Sequence, residues 1–185
     1  MDDRNIELAT LAGGCFWCLE AVFQEVHGVA QVVSGYSGGN VAQPSYQQVC
    51  SETTGHAEAV QVIFDSQVIA YREILDIFFA IHDPTTLNRQ GNDVGASYRS
   101  VIFYRTPEQQ ITASEAIVEL DEAQIWSSPI VTEVTPLSTF YPAEDYHQQF
   151  YLKNNYQPYC QMVISPKLAK FRKEHLDRLR PGVSI

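Results

Sequence analysis

No stretch of this sequence stays apolar for the roughly 20 residues that a membrane-spanning helix needs, so no helical span is expected. Basic residues are scarce: 12 Lys and Arg stand against 22 Asp and Glu, and a net charge of −10 argues against nucleic acid as a partner. The amino terminus, Met1-Asp2-Asp3-Arg4-Asn5, is acidic and polar, unlike a signal peptide, which makes the cytoplasm the expected compartment. Low-complexity tracts and internal repeats are missing too. Cysteine is thin, four in 185 residues, and in the cytoplasm four cysteines point to redox or metal chemistry rather than a disulfide framework. Only Cys15 and Cys18 lie close together. Cys50 and Cys160 stand alone, so a four-ligand zinc site lacks its second pair. The final 25 residues, Gln161 to Ile185, contain no cysteine.

What is present is enough for a core. A chain of 185 residues, 45% of them hydrophobic, reads as one domain over 1–185. Ile6 to Ala12 reads as a strand, Cys15 to about Glu25 as the first helix, and Ala30 to Tyr36 as a second strand. Glu58 to Phe64 sets Val60, Val62 and Phe64 on one face, the pattern of a half-buried strand. Arg72 to about His82 carries Ile74, Leu75, Phe78 and Ile81 at helical spacing and stops before Pro84. Ser100 to Tyr104 is a short strand. Thr106-Pro107-Glu108-Gln109 then predicts a capping box opening a helix to about Ala123. Ile130 to Val134 is another strand. After Pro136 periodicity fades for some thirty residues, the mark of a functional or wrapping segment. Ser165-Pro166 opens the last helix. Six of the twelve basic residues fall there, between Lys167 and Arg180, and only Glu174 and Asp177 oppose them. That helix could dock on a partner or a membrane surface, but a solvated face packed through Leu168, Phe171, Leu176 and Leu179 is the favoured reading. The whole fits an α+β two-layer sandwich.

The chemistry centres on Gly14-Cys15-Phe16-Trp17-Cys18. A strand, a glycine turn and a helix start place Cys15 beside unpaired backbone N–H groups and the positive end of the helix dipole, both of which favour a thiolate. Cys15 is the candidate nucleophile. Cys18, three residues on, lies ~5–6 Å away between Cα atoms, within the reach of a disulfide. A pair of buried structural thiols is the plainer alternative, and a general dithiol oxidoreductase of thioredoxin type or a zinc or redox-sensing module are the functional ones.

Gly14-Cys15-Phe16-Trp17 resembles the signature of the A-type peptide methionine sulfoxide reductases. The likeness continues through Gly35-Tyr36-Ser37-Gly38-Gly39, Gly55-His56-Ala57-Glu58, His82-Asp83-Pro84, Gln90-Gly91-Asn92-Asp93, Tyr98-Arg99-Ser100 and Ala143 to Gln149, in family order. The resemblance implies a ferredoxin-like core with long wrapping coil and a carboxy-terminal helix. It implies reduction of the S epimer of methionine sulfoxide, free or in proteins, with no metal or organic cofactor. A monomer recycled by thioredoxin is expected.

A sulfoxide is a poor electrophile until its oxygen is protonated, so the site needs proton donors beside the thiol. Glu58 alone would read as an exposed strand-end charge. The resemblance makes it the buried general acid, with Tyr46 and Tyr98 binding the sulfoxide oxygen and Asp93 a supporting carboxylate. Phe16 and Trp17 could be core; the resemblance makes them a slot for the S-methyl group. His56, His82 and His147 read as structural hydrogen-bonders. Many relatives have glycine in place of Cys18 and carry recycling cysteines near the carboxyl terminus. With none after Cys160, Cys18 is the expected resolving thiol. Cys160 remains a possible participant, and Cys50 reads as buried packing.

Overall fold

The computed structural model describes residues 5–183. Its main sheet has six strands in the order β7-β6-β1-β3-β2-β8. They are β1 (Ile6–Ala12), β2 (Val29–Ser37), β3 (Ala57–Asp65), β6 (Val101–Tyr104), β7 (Glu133–Pro136) and β8 (Phe140–Pro142). All neighbours are antiparallel except β6 and β7. Strands β4 (Arg89–Gln90) and β5 (Asp93–Val94) form a separate two-residue ladder. The helices are α1 (Phe16–Phe23), α2 (Tyr46–Cys50), α3 (Tyr71–Ile81), α4 (Pro107–Glu122), α5 (Phe150–Asn154) and α6 (Ser165–Glu174). This is a mixed α+β architecture. No helix among the described residues is long and apolar enough to cross a membrane.

Strand alternation sorts the core. Ala9 and Leu11 of β1 and Val60, Val62 and Phe64 of β3 face α1, α3 and α4, while Ala12, Ala57, Ala59, Val101 and Phe103 form a smaller cluster closed by Leu137 and Phe140. Phe64, Ile74, Leu75 and Phe78 are wholly buried, each stabilising the fold by about 1.5–3 kcal/mol. Glu58 has the same parity as Val60. It therefore points into the helix-facing layer, towards the start of α1.

Several local expectations need correction. The capping box of α4 does not close on itself: Thr106 Oγ1 accepts from Gln109 N–H, but Gln109 Oε1 accepts from Arg105 N–H at 3.0 Å. Its amide donates to the Leu8 carbonyl at 2.9 Å, tying the helix to β1. The strand expected at Ile130 starts later, at Glu133, because Val131 N–H is taken by the Pro84 carbonyl. Helix α2 was not foreseen, although Ser45 and Gln48 form a reciprocal capping box at its start. Cys50, at its end, is exposed rather than buried packing.

The segment after Pro136 wraps the sheet and is not structureless. Strand β8 pairs with Gly35–Ser37, and the Gln148 side chain extends that edge by bonding both N–H and C=O of Ser34. A π-helical turn, Cys160–Ile164, runs straight into α6. Leu168 and Phe171 bury the inner face of α6, while Leu176 is exposed, contrary to expectation. Much of the basic charge here is paired: Arg172 with Glu25, Arg178 with Glu73 and Lys170 with Glu174.

Candidate active site

The turn between β1 and α1 is built for close approach. A Cβ on Gly13 would lie 2.8 Å from the Phe78 ring, and Gly14 has φ +89° with the Gln90 side chain pressed on it. Cys15 sits at the N-cap, with φ −59° and ψ 123°, one residue before the helix rather than in its first turn. The N–H that follows it, on Phe16, donates to Glu58 Oε2 at 3.1 Å. The helix start therefore serves the carboxyl of Glu58, not the sulfur.

That geometry changes the expected charge state of Cys15. The residue is 8% exposed, and burial, the neighbouring Cys18 and the charge of Glu58 push its thiol well above the ordinary range; Tyr159 opposes them. Desolvation outweighs the dipole at this depth. Without substrate, Cys15 is a thiol. Cys18 is held lower, chiefly by its hydrogen bond with Cys15 and further by the Lys167 charge. Both cysteines are free and buried.

Glu58 is 2% exposed, and burial lifts its carboxyl to about 8 against the pull of the Phe16 N–H; Asp93, Cys18 and Glu52 add to the rise. At neutral pH it carries a proton. Tyr46 and Tyr98 are half-buried phenols raised by burial and then by the charge of Glu58; the Tyr46 ring stacks on Phe16, and the Tyr98 carbonyl accepts the Gly14 N–H at 3.2 Å. Tyr98 is held by a tight turn, Ala96–Tyr98, whose Ser97 donates N–H and hydroxyl to Glu52. Tyr46 is held by Glu144, which accepts its N–H and the Tyr36 hydroxyl, both at 2.9 Å. Asp93 accepts the Tyr159 hydroxyl at 3.0 Å.

The two aromatics after Cys15 part company. Trp17 is half-buried, stacked on Phe150 with centroids 3.7 Å apart and planes at 6°. Its indole N–H donates to His147 Nδ1 at 3.1 Å, and Tyr159 meets it edge-on. Phe16 is 0% exposed, enclosed by Tyr36, Tyr46 and His147. In the slot for a methyl group that the resemblance implies, Phe16 would be part of the buried lining. His56 and His82 bond backbone and hydroxyl groups, His56 to Gly39 and Val41, His82 to Phe78 and Ser100.

Cys15, Cys18, Glu58, Tyr46, Tyr98, Asp93 and Trp17 thus surround one locus. Sequence reasoning missed Glu144, Glu52, Tyr159 and Glu20. Glu20 is a buried carboxylate one turn after Phe16 that accepts the N–H groups of Gln149 at 2.8 Å and Phe150 at 3.1 Å. Glu144 lies in the family-like stretch Ala143 to Gln149 but nothing there gave it a role; acidic residues and tyrosines are common in the chain, and nothing local marks the other three.

Residues 7–179 match the family model described as peptide methionine sulfoxide reductase. The chain belongs to that family. A peptide methionine sulfoxide reductase from Saccharolobus solfataricus is 57% identical over 175 residues, covering 95% of this chain and 98% of its own. Among solved structures, reduced Mxr1 from Saccharomyces cerevisiae aligns with a TM-score of 0.80 at 35% identity, over 86% of this chain and 91% of that one. Mxr1 in complex with Trx2 aligns with a TM-score of 0.58 at 28% identity, over 80% and 87% of the two chains.

Proposed function

We propose that this member of the reductase family reduces the S epimer of methionine sulfoxide, free or in proteins, and is recycled by thioredoxin. One observation carries the mechanism: two buried free thiols, Cys15 and Cys18, and the buried carboxyl of Glu58, which accepts the N–H of Phe16, meet at the Cys15 turn. The sulfoxide oxygen receives the Glu58 proton, with the Tyr46 and Tyr98 hydroxyls as further donors and Asp93 as a supporting carboxylate. The methyl group lies against Trp17, with Phe16 behind. As Cys15 loses its proton, its sulfur attacks the substrate sulfur. A sulfur–sulfur bond forms as the S–O bond breaks and the oxygen departs as hydroxide; hydroxide then bonds to the Cys15 sulfur, the S–S bond breaks with its electron pair going to the substrate sulfur, and methionine leaves with Cys15 as a sulfenic acid, oxidised by two electrons. Cys18 displaces that hydroxyl as water and forms the Cys15–Cys18 disulfide. A thioredoxin dithiol then reduces it by exchange. None of these steps requires a metal or organic cofactor.

The helix-facing unit β1-α1-β2-β3-α3-β6, with strand order β6-β1-β3-β2, supports a ferredoxin-like two-layer core. One main core, with a smaller cluster beside it, and a family match over most of the length support a single catalytic domain. A monomer in the cytoplasm, where cysteines stay reduced, suits this chemistry.

The reading is tested by recycling. Cys18→Ser should leave one burst of methionine per enzyme and trap Cys15 as sulfenic acid, with thioredoxin-supported cycling sharply reduced. Cys160→Ser, which alters a fully buried thiol, should do much less. Mass spectrometry of Cys15 after one turnover reads the difference. If Cys160→Ser stops cycling and Cys18→Ser does not, the resolving role moves to Cys160.

A smaller effect is expected at Glu20, whose carboxylate fixes Phe150 beneath Trp17. Glu20→Gln should raise KM for methionine sulfoxide about tenfold, from loss of roughly 1.5 kcal/mol of charge-assisted bonding, with kcat nearly unchanged. An unchanged KM would show that the slot is held without it.

A further inference from the structure

One side chain joins the two elements that carry the phenols. Helix α2 opens with Tyr46, is seated in the core by Val49, and is followed by Glu52, whose N–H donates to the Val49 carbonyl at 3.0 Å. Across 45 positions of chain, the Glu52 carboxylate grips Ser97, the residue before Tyr98. Its Oε1 accepts the Ser97 hydroxyl at 2.6 Å and its Oε2 accepts the Ser97 N–H at 3.1 Å. Ser97 is 3% exposed, so water reaches these groups poorly. The fit is close: Gly95, at the head of the turn, has φ +148°, and a Cβ there would lie 2.4 Å from Glu52 Oε1. Tyr98 closes the turn by donating its N–H to the Gly95 carbonyl at 3.1 Å, and its own carbonyl accepts the Gly14 N–H at 3.2 Å. Tyr98 is thus pinned between the turn that presents Cys15 and the carboxylate that follows the Tyr46 helix. Glu52 itself stands at φ +60°, a left-handed conformation that glycine adopts freely and glutamate does not. Glycine would suit that backbone better and would lose the grip on Ser97.

We propose that Glu52 is a positioning residue for the reduction, setting the Tyr98 phenol, and its spacing from the Tyr46 phenol, for the sulfoxide oxygen. The inference rests on the reading that these hydroxyls donate to that oxygen. Glu52 acts through Ser97 and the turn, not on the substrate. A carboxylate that takes both the N–H and the hydroxyl of one residue fixes the rotation of the turn as well as its distance, which a single bond would not. The left-handed backbone at Glu52 is the local strain that this grip offsets.

Glu52→Ala and Glu52→Gly both remove the carboxylate, but only glycine also relieves the backbone. Each should slow single-turnover formation of methionine about tenfold, inside the ~10²-fold that a 1 Å misplacement of a reacting group costs. The glycine variant should nevertheless melt at the higher temperature of the two. Glu52→Gln keeps an oxygen for the Ser97 N–H and should retain most of the wild-type rate. Because Glu52 acts through Tyr98, adding Glu52→Ala to Tyr98→Phe should slow that variant no further. Wild-type first turnover in the alanine and glycine variants, a rate that simply follows melting temperature, or a full tenfold loss on top of Tyr98→Phe would each overturn the proposal. Tyr98 labelled as 3-fluorotyrosine gives an arm that needs no turnover. Its fluorine resonance should shift or broaden in the alanine and glycine variants and stay in place in the glutamine variant. If the resonance moves but the wild type does not reduce methionine sulfoxide, the proposed function fails and the brace on Tyr98 stands. An unmoved resonance removes the brace and leaves the proposed function intact.

Discussion

Cys15→Ser is expected to abolish reduction of methionine sulfoxide, by on the order of 10⁴-fold or more, the scale seen when a nucleophile is removed. A hydroxyl ionises far less readily than a thiol, and the site deepens that handicap because burial already disfavours charge on this atom. Serine also cannot end the first half-reaction as a sulfenic acid, so neither the hydroxyl transfer nor the disulfide that follows is open to it. The fold should be unaffected, since the side chain at this N-cap makes no cap hydrogen bond. Turnover with dithiothreitol as reductant is the measurement, because it bypasses thioredoxin. Appreciable activity in that assay would remove Cys15 from the mechanism while leaving the family membership intact.

Glu58→Gln should slow the first chemical step by about 10²–10⁴-fold, read as methionine formed in a single turnover. Glutamine keeps an oxygen to accept the Phe16 N–H, so the turn should hold while the acid is lost. The pH dependence gives a second signature. Burial lifts the Glu58 carboxyl to about 8, so the proton donor is present below that value and disappears as pH rises through it. The wild-type first-turnover rate should therefore fall with rising pH near 8, and the glutamine variant should lack that limb. Stability follows the same sign. A carboxyl whose folded value lies above its ordinary 4.5 favours the fold at low pH, and that contribution is lost as pH rises from the ordinary value through about 8. The variant should lose less stability than the wild type over that window. An unchanged first turnover would move the acid elsewhere, with Asp93 the next candidate.

The sequence by itself determined most of the central strands and the longer helices, and the locus of the chemistry. Strand β3 was legible because Val60, Val62 and Phe64 alternate, α3 because Ile74, Leu75, Phe78 and Ile81 repeat at helical spacing, and α6 because Ser165-Pro166 starts it. The thiol pair was legible because a Cys-x-x-Cys after two glycines is local by nature. The resemblance then named Glu58, Tyr46, Tyr98 and Asp93, which no periodicity would have picked from 22 acidic residues and ten tyrosines. Tertiary structure alone decided which groups support them. Glu20 bonds Phe150 across 130 positions, Glu144 bonds Tyr46 across 98 and Tyr159 bonds Asp93 across 66, and such partners leave no spacing to read. It also decided the state of Cys15. A helix start promises a thiolate locally, but burial under the wrapping segment, together with a carboxyl that takes the helix N–H, keeps the sulfur protonated. Desolvation depends on everything packed around an atom, and that is not written at any one place in the chain.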